Sequence, residues 1–402
     1  MNSKVAVEQE ADSVLESNGI TPSNAQFSVI REIVKWYGDR HRPEFYLAGY
    51  AGVGKTTIAR LAIEEIQARY KRCKKVVTGA YTGKAAYRLR QKGAPNPSTI
   101  HAMIYAPTER DGALSFDLAE DGPASNADLI VLDEVSMVNE QIAQDLRSFG
   151  KKILVMGDPG QLPPVSGAGA FTNREPDAFL TEIHRQAADS PIIRLATMAR
   201  LGERIRPGDY GGGVQVLSLT ASTQHEVYRP DTQAICGIHR VRWTICQRAR
   251  RRLGFDGPLP LTGERVICTR NSHGDRLFNG VLGVVTVDTV AAAEPGLVTM
   301  QVHLEDEREA RDAILVHPWQ FAQHFDHAVG KPDRIEKGIN EFDWAYAITC
   351  HKAQGSEWPH VSIVDDSGAF RRRDRDDSGK WLYTAITRAQ TGLTLLLRGG
   401  DR

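Results

Sequence analysis

Gly49-Tyr50-Ala51-Gly52-Val53-Gly54-Lys55-Thr56 decides how the rest of this chain is read, because it fits the spacing G-x-x-x-x-G-K-[ST]. Just before it, Glu44-Phe45-Tyr46-Leu47-Ala48 has the look of a short buried strand. Just after it, Thr57 to Tyr70 places Ile58, Leu61, Ala62 and Ile66 at helical spacing. Strand, glycine loop and helix together are the context that a phosphate-binding loop requires. Gly52 and Gly54 let backbone N–H groups face phosphate oxygens where a Cβ would crowd them. The helix that follows presents its positive end to the same anion. Lys55 would reach the terminal phosphates of ATP, Thr56 would offer its hydroxyl to Mg²⁺, and Thr57 would stand beside both.

Composition sets the outer bounds. The 402 residues are 41% hydrophobic, enough for a real core and for two to four domains. Lys plus Arg and Asp plus Glu are 50 each, so overall basicity does not argue for nucleic acid, although a local basic groove is compatible with zero net charge. The five cysteines are scattered without a C-x-x-C pair, which points to a reducing compartment rather than a disulfide framework. Cys236 and His239 have a loose metal-like spacing with no second pair to complete it. The first residues are polar and acidic, and no apolar run approaches the ~20 residues that span a bilayer. The expectation is a soluble, cytoplasmic protein with no membrane partner.

Ahead of the glycine loop, Thr21 is placed to cap a helix with Pro22 at its first position, and Phe27, Ile30, Val34 and Trp36 form its buried face. Gln26 carries a side-chain amide able to pair with both a donor and an acceptor on adenine. After the loop, Lys74 to Thr78 reads as a strand, and Tyr81-Thr82-Gly83-Lys84-Ala85-Ala86 opens a helix through about Gln91. Ser98-Thr99-Ile100-His101 follows, then Ala106 to Asn126, a polar insertion with the makings of a hairpin near Asp111-Gly112. Leu129-Ile130-Val131-Leu132-Asp133-Glu134 is a buried strand ending in two carboxylates, at the end of the strand where α/β sheets bind ligands. Asp133 fits the Mg²⁺ shell and Glu134 the base that polarises water. Gly157 to Pro164 then carries Gln161, an uncharged sensor of a γ-phosphate, and Arg185 is a candidate arginine finger.

A second unit begins near Ser190. Ile192 to Leu201 reads as a helix, and Val241 to Leu253 as a basic one whose Arg242, Arg248, Arg250, Arg251 and Arg252 either face nucleic acid or are simply solvated. Short β segments between Val281 and Val316 suggest a small barrel. The chain returns to α/β with Thr349-Cys350-His351-Lys352-Ala353-Gln354-Gly355-Ser356-Glu357-Trp358 and ends with Tyr383-Thr384-Ala385-Ile386-Thr387-Arg388 and a last strand. Arg388 sits among small and apolar residues of a helix, where its charge requires a partner.

Taken in order, these motifs resemble those of superfamily 1B helicases, the RecD-like and phage Dda-like branch, from about Gln26 to Arg388. The resemblance implies an α/β fold with two RecA-like P-loop domains and ATP in the cleft between them. A small pin-bearing insertion would interrupt the first domain and an SH3-like β-barrel the second. The boundaries expected are 1–105 and 127–189 for the first domain, 106–126 for its pin, 190–280 and 341–402 for the second, and 281–340 for its barrel. Carried over by motif, Gln26 reads adenine; Lys55 and Thr56 hold phosphate and Mg²⁺; and Asp133 and Glu134 are metal ligand and base. Gln161 senses the γ-phosphate, Arg185 and Arg388 donate charge to it, and Glu357 touches ribose. Thr82, His101, Thr349 and His351 lie in motifs that contact the DNA strand. Tyr81 stands where the family usually has a proline.

The implied activity is an ATP- and Mg²⁺-dependent motor moving 5′-to-3′ on single-stranded DNA and opening forked duplexes in replication, repair or recombination. It would act as a monomer, with single-strand-binding or replication proteins as possible company. Rivals are an RNA helicase of the same superfamily, an ATP-gated factor that loads a partner on DNA without unwinding, and a metabolic P-loop kinase.

Overall fold

The structure, a computed structural model, describes residues 22–110, 113–163, 169–181, 189–229, 231–272, 277, 279–305, 307, 309–369 and 375–398. The chain forms two compact units; the second comprises Thr82–Lys84 and the described residues from Asp189 onward. In the first the elements run α1 (Asn24–Gly38), β1 (Glu44–Gly49), α2 (Lys55–Arg69), β2 (Val76–Ala80), α3 (Gly83–Gln91), β3 (Pro97–Thr99) and α4 (Ile100–Ile104). There follow β4 (Tyr105–Arg110), β5 (Ala113–Leu118), β6 (Leu129–Asp133), α5 (Glu140–Ser148), β7 (Lys152–Gly157) and β8 (Ala178–Leu180).

Six of these strands form one parallel sheet, in the order β3-β2-β6-β7-β1-β8. Its central strands are apolar almost throughout, as strands covered on both faces must be. One face is covered by α1 and α2, whose Ile30, Ile33, Trp36, Leu61 and Ile66 join a single core. Met103 and Ile104 of α4 with Ile142 and Leu146 of α5 belong to a second core with Ile130 and Val155 of the sheet.

Two details of α1 differ from expectation. Its N-cap is Ser23, while Thr21 lies outside the described residues. Ser23 with Gln26 three positions on makes a capping box, in which each side chain satisfies the other residue's backbone N–H. The buried face runs through Val29, Ile30, Ile33, Val34, Trp36 and Tyr37, with Phe27 only half-buried at its edge.

Within the expected insertion, β4 and β5 pair antiparallel from Tyr105↔Leu118 to Arg110↔Ala113. Asp111 and Gly112, the residues between them, lie outside the described set. Phe116 and Leu118 are exposed on this hairpin.

The second unit opens with α6 (Pro191–Leu201), β9 (Gly208–Gly211), β10 (Val214–Ser218), β11 (Gln233–Cys236), α7 (His239–Arg252), β12 (Arg265–Cys268) and β13 (Leu282–Ala291). It continues with β14 (Val298–Leu304), β15 (Arg311–Val316), α8 (Trp319–Ala322), β16 (Phe342–Trp344), β17 (Ala347–Thr349) and α9 (Cys350–Ala353). It closes with β18 (Trp358–Val364), α10 (Arg375–Ile386) and β19 (Ala389–Leu397). A second sheet, β17-β11-β18-β19-β10-β9, is parallel except for β9 at its edge.

A five-stranded antiparallel sheet, β15-β14-β13-β12-β16, interrupts this unit. A single bridge between Val316 and Asn340 links the end of β15 to the residues leading into β16. The sheet reaches from Arg265 to Trp344, beyond the 281–340 read from sequence, because β12 and β16 have only 4 and 3 residues and too little alternation to be seen.

The basic helix α7 is not a uniform charged face. Arg242 is buried against Asp343, 2.5 Å away, and Arg250 against Glu264, at 2.6 Å. Arg250 also lies 4.0 Å from the centre of the Trp344 ring and donates to the carbonyl of Gly257. These pairs lock α7 to the antiparallel sheet, and removing one partner of such a buried pair costs about 3–5 kcal/mol.

His324 belongs to the same cluster. Its Nε2 is 2.6 Å from Asp343 Oδ1, and its ring packs on Trp344. Burial lowers its pKa below 6.5 despite the pull of Asp343. Its Nδ1 has no partner among the described residues, so the packing suits a neutral ring. The unfolded chain therefore binds more protons than the folded one below about pH 6.5, and stability falls as pH drops. Thermal melts from about pH 7.5 to 5.5 should show a falling Tm, with a shallower slope in His324→Gln. Some slope persists, because burial lowers His239, His317 and His351 in the same direction. A variant slope equal to the wild-type one would contradict this assignment.

Candidate functional site

The loop between β1 and α2 has the backbone its sequence calls for. Gly52 and Gly54 have φ of 81° and 83°, in the left-handed region where a side chain is strained. Gly54 is the N-cap of α2 and supplies no side-chain cap, so the first N–H groups of the helix have no side-chain acceptor there. An anion at this point would satisfy them and meet the positive end of the helix. Lys55, Thr56 and Thr57 are the first three residues of α2 and are half-buried. The Lys55 ammonium donates to the carbonyls of Gly49 and Tyr50 at 2.7 and 3.1 Å, which holds it at the mouth of its own loop.

Asp133 ends β6, and its Oδ2 accepts from the Thr56 hydroxyl at 3.3 Å. Its other oxygen accepts from the backbone N–H of Glu134 at 2.9 Å. Glu134 has φ 54° and ψ 44°, one of the few non-glycine residues here in the left-handed region. Such a backbone costs on the order of 1–3 kcal/mol, and the bond from Asp133 helps to hold it. Burial raises the pKa of Asp133, the neighbouring Glu134 charge raises it further, and Lys55 pulls it back. Two adjacent carboxylates with one ammonium to relieve them suit a hard divalent cation, and the hydroxyl of Thr56 and the carboxylate of Asp133 are oxygen ligands of that kind. Among the described residues no group of three or more His, Cys, Asp or Glu side chains could hold a metal, so Mg²⁺ here would take its remaining oxygens from nucleotide and water. Cys236 is no ligand: burial raises its thiol pKa well above 9.0, and the thiol donates to backbone carbonyls.

Gln161 is buried beyond the end of β7, where its Oε1 accepts from the Ser136 hydroxyl at 3.4 Å and its N–H donates to the Asp158 carbonyl at 3.1 Å. Gln26 is also buried, and its Nε2 donates at 3.3 Å to the carbonyl of Val53 inside the glycine loop. With Oε1 accepting from Ser23, the Gln26 amide keeps one donor and one acceptor position beyond these bonds.

Thr82 is half-buried in the turn between β2 and α3, and His101 half-buried in α4. In the second unit Thr349 is the N-cap of α9, accepting from the Lys352 N–H. Burial lowers the pKa of His351 beside it. Glu357 and Arg388 lie elsewhere, at the start of β18 and β19, where Trp358 pairs with Ala389. Parallel pairing puts Thr349 at the opposite end of that sheet, so the two groups of residues are separate places within the unit.

Arg388 is not helical as expected but follows α10. Its buried guanidinium donates to the carbonyls of Thr384 and Ser356 and to the Thr387 hydroxyl, at 3.1, 3.2 and 3.1 Å. No carboxylate pairs with it among the described residues. Arg185 lies outside the described residues.

Residues 24–218 match the AAA domain family and residues 344–396 the UvrD-like helicase C-terminal domain. The ATP-dependent RecD2 DNA helicase of Deinococcus radiodurans is 29% identical over 375 residues, covering 86% of this chain and 45% of the relative. A conjugal transfer protein TraA of Agrobacterium fabrum is 31% identical over 370 residues, covering 87% of this chain and 30% of the relative. The chain thus spans less than half the length of either. In fold it matches Bacteroides Pif1 bound to single-stranded DNA, with a TM-score of 0.53, 19% identity, and 94% and 92% of the two chains covered. In sequence the chain is thus similar to RecD2- and TraA-type proteins over most of its own length, and in fold to Pif1. The mixed α/β fold matches that of Pif1, and the glycine loop lies within the AAA-domain match. No described helix is long and apolar enough to cross a membrane.

Sequence reasoning missed the residues that hold the site residues in place. Ser136 and Asp158 position Gln161 and its loop, and Ser23 anchors Gln26. Only Ser23 had a legible signal, the spacing Ser-x-x-Gln. If Glu134 is the base that orients water, Glu134→Gln should lower ATP turnover by roughly 10²–10⁴-fold while leaving binding of a fluorescent ATP analogue within a few-fold. Turnover within tenfold of wild type would remove Glu134 from that role.

Proposed function

We propose that this chain is an ATP-dependent DNA helicase that moves 5′-to-3′ on single-stranded DNA and opens duplex at forks. The observation that carries the proposal is the cluster of Lys55, Thr56, Asp133 and Glu134 at the ends of β1 and β6, with Thr56 bonded to Asp133. It joins a phosphate cradle to a hydrolytic carboxylate within one unit.

In this proposal Gln26 reads adenine, Glu357 touches ribose, and the backbone from Gly52 to Thr57 cradles the phosphates. Thr56 and Asp133 hold Mg²⁺, which when bound neutralises charge on the β- and γ-phosphates. Glu134 orients the attacking water, and Gln161 senses the γ-phosphate. Arg388, with neutral oxygen atoms as its bonding partners, keeps an uncompensated charge for that phosphate, and Arg185 is assigned the same task. Loss of the γ-phosphate would end these contacts and change the conformation. Thr82 and His101 grip the strand from the β2–α3 turn and from α4, and Thr349 and His351 from the start of α9. Alternating grip moves the strand, and the β4-β5 hairpin with its exposed Phe116 serves as the separating pin. The five-stranded antiparallel sheet is proposed as the SH3-like insertion. Partners would be single-stranded and forked DNA, with a monomer in the cytoplasm as the working form.

Affinity that comes from phosphate contacts and stacking should fall with salt. The direct test compares duplexes bearing only a 5′ tail or only a 3′ tail, with ATP and Mg²⁺. Unwinding of the 5′-tailed duplex alone is expected. Unwinding from a 3′ tail alone would reverse the direction, and ATP turnover without strand separation on either substrate would overturn the helicase assignment.

A further inference from the structure

Tyr81 follows the last residue of β2, on the edge of the parallel sheet where strand ends and loops meet ligands. Its ring lies 6.1 Å from the His101 ring at an interplanar angle of 73°. His101 in turn lies 5.8 Å from Tyr105, tilted by 44°. Tyr105 is fixed at the far end, because its hydroxyl donates to the carboxylate of Asp145 on α5. Beneath the row, Met103 and Ile104 are fully buried, and both tyrosines pack on their core. Three rings thus form one series, anchored at one end.

The two ends of the series differ. Burial, then the Asp145 bond, raises the Tyr105 pKa, so this phenol is a neutral, bonded pillar. Tyr81 is half-buried like Tyr105, but its hydroxyl has no hydrogen-bond partner among the described residues. The Asp145 bond accounts for Tyr105, whereas the equally half-buried Tyr81 carries no such bond and stands immediately before Thr82 and the first residue of α3. Proline, the usual residue of the resembling family at this position, has no π-face.

We propose that Tyr81 is a stacking platform for a base of single-stranded nucleic acid, presented by the Tyr81–His101–Tyr105 row. The proposal rests on the function given above and adds a contact to bases, where phosphate contacts alone would hold only the backbone. A ring already held by its neighbours loses little freedom when a base lands on it, and stacking tolerates any base because each has a π-face.

The test is fluorescence anisotropy with the full chain, using a labelled oligo-dT and an oligonucleotide of equal length carrying abasic sites. Wild type should bind oligo-dT more tightly than the abasic strand. Tyr81→Leu, which keeps an apolar side chain against His101, should weaken oligo-dT binding by roughly 5- to 100-fold and leave abasic binding unchanged. Tyr81→Phe should keep the wild-type preference, since the ring and not the hydroxyl makes the contact. A Tyr81→Leu chain with the wild-type preference, or one weakened equally on both strands, would overturn the stacking role. Wild-type protein that binds neither strand would overturn the proposed function itself, a different outcome.

Discussion

A half-buried carboxylate next to another carboxylate is the constraint around which the first unit is built. Asp133 and Glu134 end a strand whose other residues are all apolar and buried. Burial and the neighbouring Glu134 carboxylate both disfavour the charge of Asp133, and Lys55 relieves it. The fold accepts this cost because β1 and β6 flank β7 in a parallel sheet, so the glycine loop and the acids emerge at the same edge. The Thr56–Asp133 bond joins the two loops directly. Gln161, on the loop after β7, lies between them in strand order. One topological fact, parallel strands ending together, gathers residues that are far apart in sequence.

The second unit uses buried charge differently. Arg242 and Asp343, the latter also bonded to the neutral His324 ring, and separately Arg250 and Glu264, are ion pairs in a packed interior. They join α7 to the antiparallel sheet, and their charge is spent locally. Arg388 is the contrast: it is equally buried, with carbonyl and hydroxyl oxygens as partners. Bonding of that kind orients a guanidinium without neutralising it.

Much of this was readable before any coordinates, and the failures have physical causes. The glycine loop, the strand ending in Asp133-Glu134 and the paired hairpin strands at 105–118 follow from local patterns, and the structure has them. Strands β3, β8, β12 and β16 are too short for periodicity to show. The arginines of α7 could not be sorted from sequence, because their partners Asp343 and Glu264 are 101 and 14 positions away (Arg242 to Asp343, Arg250 to Glu264). The Ser136 bond to Gln161 and the Tyr105 bond to Asp145 are likewise tertiary and leave no local mark. Pro22 points to a helix start capped by Thr21, whereas the reciprocal bonds with Gln26 make Ser23 the cap.

The central claim is that Asp133, tied to Thr56 beside the glycine loop, makes this cradle a hydrolytic one. ATP turnover as a function of Mg²⁺ concentration, with saturating oligo-dT, tests it most directly when wild type and Asp133→Asn are compared. The account predicts Mg²⁺-dependent turnover in wild type. In the variant it predicts turnover reduced by at least about 100-fold, because a ligand for Mg²⁺ is lost from a charge-stabilised phosphoryl transfer. Wild-type turnover and Mg²⁺ dependence in Asp133→Asn would contradict it.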